Sequence, residues 1–163
     1  MKGKQVSSIQ QELKAIPGIQ FVDHIGIAVK QGELAGQVAA YQMLGFTEIH
    51  REEVLGNDQV RESLLQIADG PNLIQLLEPL TPDSPIQKLI ERNGGRGGMA
   101  HVAFRVENAQ QAFDAMQTAG FHIIDKAPRK GSRGTTVFFV HPKSTEAAAF
   151  GYLLEVVEEG AHA

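Results

Sequence analysis

The 163-residue sequence contains no cysteine. Disulfide scaffolds, thiolate zinc sites and cysteine nucleophiles are therefore excluded, and the chain suits a reducing compartment. Long apolar runs are also missing, since none approaches the ~20 residues that a membrane span requires. The first residues, MKGKQVSSIQQELKAIPG, hold no apolar core of the kind a secretory signal needs, so the expected location is the cytoplasm. An excess of basic charge is absent as well. With 15 Lys and Arg against 19 Asp and Glu the formal charge is −4, which argues against a nucleic-acid partner held by bulk electrostatics. A local basic patch for a phosphorylated small molecule is still allowed. No segment of domain size is low in complexity: 42% of the residues are hydrophobic and 21% charged, the balance of a chain that buries one core, or two small units sharing one.

What the sequence does have is a repeat. DHIGIAV (23–29) alternates in the two-residue period of a β-strand. His24, Gly26 and Ala28 share one nearly bare face, and Ile25, Ile27 and Val29 share an apolar one. AHVAFRV (100–106) repeats the pattern with His101 in the place of His24. Each strand leads into a segment of helical spacing. In the first, Leu34, Val38 and Tyr41 end at Gly45-Phe46; in the second, Ala112, Phe113 and Met116 end at Gly120-Phe121. FTEIHREEV, QVRESLLQIA and NLIQLLEPL then read as strands of the first copy, and FHIIDKAP, GTTVFFVHP and GYLLEVVEE as strands of the second. Between the copies, SPIQKLIERN reads as a short helix with a flexible exit through Gly94, Gly95, Gly97 and Gly98.

The expected organisation is an N-terminal extension (1–19) carrying a short polar helix, one domain (20–159) and a tail (160–163). The domain comprises module one (20–80), a connector (81–98) and module two (99–159). Each module is β-α-β-β-β and exposes a sheet face that it cannot bury alone. The expected fold class is therefore α+β, with two repeated modules forming a concave, barrel-like mixed sheet and helices outside.

The bare faces of both first strands would line that concavity. In the last strand of module one Gln75 interrupts Leu73, Ile74, Leu76 and Leu77, and in the last strand of module two Glu155 interrupts Leu153, Leu154, Val156 and Val157. A carboxylate in a strand apolar on both faces is costly unless paired or bound to a cation. Singly, each of these residues has a structural reading: a hydrogen-bonded strand histidine, an amide capping a strand, a carboxylate facing an arginine. Together, at repeat-related positions, His24, Gln75, His101 and Glu155 suit one borderline divalent metal per chain, with open coordination positions. Co, Mn, Ni and Zn all accept such N and O donors.

DHIGIAV, AHVAFRV, the closing strand GYLLEV and the duplicated plan resemble the vicinal oxygen chelate (glyoxalase-like) superfamily over residues 21–158. Within it, the resemblance is to the methylmalonyl-CoA epimerase family. It is carried by HREE (50–53), by LIQLLEPL followed by SPIQKLIERNGGRGG, and by PRKGSRGTTVFFVHPKST (128–145). The resemblance implies the glyoxalase/vicinal oxygen chelate fold and metal ligation by the same four residues. It adds Glu62, in QVRESLL, as the catalytic base. It further implies an acyl-CoA substrate, methylmalonyl-CoA, whose (R) and (S) forms interconvert by α-proton removal and return through a metal-stabilised enolate, and a homodimer. The acid on the opposite face is Glu155, leaning off the metal, or a water. Without the resemblance, Glu62 reads as a solvated charge alternating with Arg61.

Two departures stand out. The family often has His-His where this chain has Ala100-His101, and STEAAAFGY (144–152) exceeds the family's short glycine turn. Arg129, Lys130, Arg133 and Lys143 read either as a contact for the phosphates of coenzyme A or as a solvated basic loop. His50, His122, His141 and His162 are assigned no catalytic role, His141 being read as part of the HPKS turn. The rival readings are a glyoxalase I-like lyase, which usually carries a carboxylate in the place of Gln75; a ring-cleaving dioxygenase, which would not need Gln75; an epimerase of another acyl-CoA; and a metal-free binding protein, which generally lacks the ligand set.

Overall fold

The two sequence periods become two runs of the same element order. In the computed structural model, which describes residues 15–145 and 149–160, the first run is β1 (Ile19–Ala28), α1 (Leu34–Met43), β2 (Phe46–Val54), β3 (Val60–Ile67) and β4 (Leu73–Pro79). Helix α2 (Pro85–Arg92) connects it to β5 (Gly98–Val106), α3 (Ala109–Thr118), β6 (Arg129–Lys130), β7 (Thr136–Val140) and β8 (Leu153–Glu158). Most of the helix expected in the N-terminal extension, part of the 144–152 loop, and His162 lie outside the described residues. Among the described residues, no helix is long and apolar enough to cross a membrane.

The chain divides into two compact units, Asp23–Val102 and a second that joins the stretch ending at Val22 to the stretch beginning at Ala103. In the first unit the strand order is β2-β3-β4-β1, with β1 parallel to β4 and the other pairs antiparallel. Helix α1 covers one face through Leu34 and Val38, which pack with Val29, Leu65 and Leu76. Val60, Leu77 and Ala100 pack elsewhere with Ile86 and Leu89 of α2. Strands β3 and β4 are therefore buried along most of their length, and each fully buried leucine contributes about 2 kcal/mol. That makes any charge placed on them conspicuous.

Helix α1 has no side-chain cap of its own at Glu33. Its first N–H is taken by a residue remote in sequence: Glu78 of β4 accepts from Leu34 N at 2.9 Å and from Gly32 N, in the turn before the helix, at 3.0 Å. The other oxygen of Glu78 accepts from Arg61 at 3.0 Å. The helix stops at Gly45, whose φ of 97° is a conformation that suits glycine.

The second unit repeats the device. Glu158 of β8 accepts from Ala109 N at 3.0 Å, at the start of α3, where Asn108 already caps Gln111 N at 2.9 Å. Its strand order is β5-β8-β7-β6. Its core gathers Met116, Phe113, Phe138, Val140, Leu154 and Val156, with the Phe113 and Phe138 rings edge to face at 5.3 Å. One expected element does not form. FHIIDKAP is not a strand; Ile123 makes only an isolated bridge to Val140, and the strand of this region is the two-residue β6. The reason is local: the Asp125 carboxylate accepts from Phe139 N at 2.7 Å, so a side chain takes a place that a ladder carbonyl would fill, and Pro128 has no N–H to give.

Replacing Glu78 by Ala leaves the first N–H of α1 and the N–H of Gly32 in the turn before it without their acceptor. The expected loss of stability in urea unfolding is about 2–3 kcal/mol. Glu158→Ala, where Asn108 still caps the helix, is expected to cost about 1 kcal/mol. Unchanged midpoints for both would show that these glutamates do not hold the helices.

A buried histidine, amide and carboxylate cluster

Strand β1 presents His24, which is buried, as is Asp23 beside it. The Nδ1 of His24 lies 2.7 Å from Asp23 Oδ2. A carboxylate at Nδ1 favours the ring proton there, which makes Nε2 the acceptor side of the ring. His24 Nε2 lies 3.1 Å from His101 Nε2 of β5, with the two rings near-perpendicular at 83°. Two ring nitrogens at that distance are held favourably only with a proton or a cation between them.

Gly26 explains how the second ring fits. A Cβ at this position would stand 2.3 Å from His101 Cε1 and 2.6 Å from both ring nitrogens. The bare face of β1 is thus bare because the other histidine occupies it. In the β1–β4 register Gly26 is the partner of Gln75, which brings the amide beside the same space. Gln75 is 7% exposed. Its Nε2 donates to Glu62 Oε2 at 2.8 Å, and its Oε1 is buried with no hydrogen-bond partner among the described residues. A buried acceptor left unmet costs about 1–3 kcal/mol, a cost that a bound cation removes. The donor set therefore fits a divalent metal, and the groups present could bind one.

Glu62 is 2% exposed. Burial overturns the solvated-charge reading: Arg61, the neighbour in sequence, points to Glu53 at 2.7 Å and Glu78 at 3.0 Å, while Glu62 turns to Gln75. On β2, Glu52 is the direct cross-strand partner of Glu62. His50 Nε2 lies 3.0 Å from Glu52 Oε1 and 3.9 Å from Glu62 Oε1. These three side chains also form a cluster of possible ligand atoms. Sequence reasoning passed over Asp23, His50 and Glu52. The available signals were an acid directly before the first histidine and the period of two in HREE, which puts His50 and Glu52 on one face.

In the second unit, Glu155 is buried on β8, opposite Phe139 in the register. The four basic residues are exposed. Arg129 is engaged, its Nε 3.1 Å from Asp125 and its guanidinium 5.4 Å over the Phe139 ring. Arg133 sits at φ 56° in the 3-10 turn Ser132–Gly134. His141 holds the HPKS turn, its Nδ1 accepting from Lys143 N at 3.1 Å and its carbonyl from Ser144 N at 2.7 Å.

Comparison with known proteins gives a consistent result. Residues 23–139 match the family described as Glyoxalase/Bleomycin resistance protein/Dioxygenase superfamily. YqjC of Bacillus subtilis (strain 168) is 30% identical over 138 residues, covering 84% of this chain and 91% of that protein. The mitochondrial methylmalonyl-CoA epimerase of Homo sapiens is 28% identical over 143 residues, covering 85% of this chain and 78% of the relative. Among solved structures, the Streptomyces coelicolor methylmalonyl-CoA epimerase in complex with 2-nitronate-propionyl-CoA superposes with a TM-score of 0.77 at 32% identity, covering 88% of this chain and 99% of that one.

Gly26→Ala tests the packing on which this cluster depends. The added methyl cannot share space with the His101 ring, so the ring must leave, at an expected cost of about 1–3 kcal/mol. Thermal unfolding reads the cost, and the His101 ring signals in an NMR spectrum should move. A variant with wild-type stability and unmoved ring signals would refute the close approach.

Proposed function

The chain belongs to the glyoxalase/bleomycin resistance protein/dioxygenase superfamily, and on that premise we propose that it is an epimerase interconverting (R)- and (S)-methylmalonyl-CoA. The observation that carries the reading is the buried Glu62 carboxylate, tied to the amide of Gln75, whose own oxygen is buried without a hydrogen-bond partner among the described residues. A carboxylate in such a place is suited to take a proton from carbon. Residues 20–159 act as one catalytic domain in this reading.

His24, Gln75, His101 and Glu155 would hold one divalent cation, with Co, Mn, Ni and Zn all compatible with these donors. When bound, the cation supplies positive charge that acidifies the carbon between the thioester and the carboxylate. Everything else falls to side chains. Asp23 fixes the tautomer and orientation of His24. The Gln75 amide fixes Glu62 through one oxygen, so that the base does not have to be reoriented in each turnover. Glu62 removes the α-proton, and burial keeps competing water away from it. A proton returns to the opposite face from Glu155 or from a water. Gln75 itself separates this reading from a glyoxalase I-like lyase, in which a carboxylate usually stands there.

Lys130, Arg133 and Lys143 are proposed contacts for the phosphates of coenzyme A, with Arg129 already paired to Asp125. A homodimer in the cytoplasm is proposed, supported by the resemblance and by the cysteine-free composition.

Incubated with methylmalonyl-CoA in deuterated water with a divalent metal supplied, the protein is expected to exchange the α-proton for deuterium, followed by proton NMR. No exchange above background would refute the function. Glu62→Gln is expected to lower the rate by about 10²–10⁴-fold with metal content unchanged, and a fully active variant would remove Glu62 as base. Elemental analysis is expected to find about one divalent ion per chain, and His24→Ala to abolish it.

A further inference from the structure

The proton that Glu62 takes from the substrate must leave before the carboxylate can act again, and at 2% exposure Glu62 needs a carrier to reach water. The β2–β3 register provides one. Glu52 stands directly across from Glu62, and two carboxylates so placed repel each other. The imidazole of His50 lies against both, its Nε2 3.0 Å from Glu52 and 3.9 Å from Glu62. The side chains of His50 and Glu52 are 31% and 35% exposed, against 3% for that of Glu62. The three form a descending series from solvent to the buried base. The other charged groups of this region are committed elsewhere: Glu48 to Arg51 and Ser63, and Arg61 to Glu53 and Glu78.

We propose that His50 is a proton relay between Glu62 and solvent, with Glu52 as the outer acceptor. The relay rests on the reading of Glu62 as the base. In the step, the O–H bond of protonated Glu62 breaks and an N–H bond forms at His50 Nε2, giving a carboxylate and an imidazolium. The imidazolium then gives that proton to the Glu52 carboxylate, which releases it to water. His50 returns neutral and Glu62 returns charged, so nothing accumulates. A swing of about 1 Å brings His50 Nε2 within proton-transfer distance of Glu62, the tightening expected of a catalytic hydrogen bond when substrate binds.

The test uses the full chain with metal supplied and two variants, His50→Ala and His50→Gln. Both are expected to lower kcat about 10–100-fold with KM for methylmalonyl-CoA and metal content unchanged, because neither alteration touches the substrate or the ligand set. Imidazole added to the buffer is expected to restore kcat of the Ala variant in a saturable way, since the partly exposed cavity admits a free carrier. The Gln variant retains a hydrogen-bond donor but cannot carry a proton, and imidazole should not restore it; it also serves where the Ala variant fails to fold. Wild-type turnover in the Gln variant would reduce His50 to a positioning role and overturn the relay, as would undiminished turnover in a folded Ala variant. Unmodified protein that exchanges no deuterium would overturn the reading of Glu62 beneath it, an outcome separate from either.

Discussion

The constraint on which the cluster depends is the missing side chain at Gly26. The His101 ring fills the volume that any Cβ there would claim, and only through that overlap do the Nε2 atoms of two histidines come within 3.1 Å. The parallel pairing of β1 with β4 then brings Gln75 alongside Gly26, and the antiparallel pairing of β4 with β3 carries the contact on to Glu62. Each residue reaches the site through the register of the strand before it. A slip of one residue in β4 would send Gln75 to the opposite face and undo the whole set.

A site of this kind concentrates burial costs. Asp23, His24, Glu62, Gln75 and His101 are all nearly excluded from water, in strands rich in apolar residues. Part of the cost is offset within the cluster, by the Asp23–His24 contact at 2.7 Å and the Gln75–Glu62 hydrogen bond at 2.8 Å. The Gln75 oxygen is left over. In a purely structural network it would be a defect; here it is a donor that a bound cation could meet. By contrast, Glu78 spends a comparably buried carboxylate wholly on structure, since its oxygens are met by the N–H groups of Gly32 and Leu34 at the start of α1 and by an arginine. Glu62 and Glu78, the two buried glutamates of the first unit, are thus told apart by the partners around them, not by depth.

Much of this was legible beforehand. Alternation in DHIGIAV and AHVAFRV located β1 and β5, and Gly45 marked the end of α1 because a positive φ there favours glycine. The polar interruptions at Gln75 and Glu155 were visible because their neighbours are uniformly apolar. Glu62 was ambiguous for a physical reason. Alternation with Arg61 looks the same whether Glu62 or Arg61 faces inward, and the resemblance, not the pattern, selected it. The failed strand at FHIIDKAP shows the converse limit, because Asp125 bonds the backbone of β7 across a gap in sequence that no local pattern encodes.

By itself the sequence determined the duplication, all but one of the expected strands of the repeat and the residue kinds available for chemistry, because these depend on periodicity and composition within a few neighbours. Only the tertiary structure decided that Asp23 orients His24, that Glu78 caps α1, and that His50 and Glu52 stand beside Glu62. Those contacts depend on strand register and on which side chain takes up a given volume. The bare face of β1 is the clearest case: the sequence showed that Gly26 leaves a space, and the fold decided that a histidine from β5 fills it.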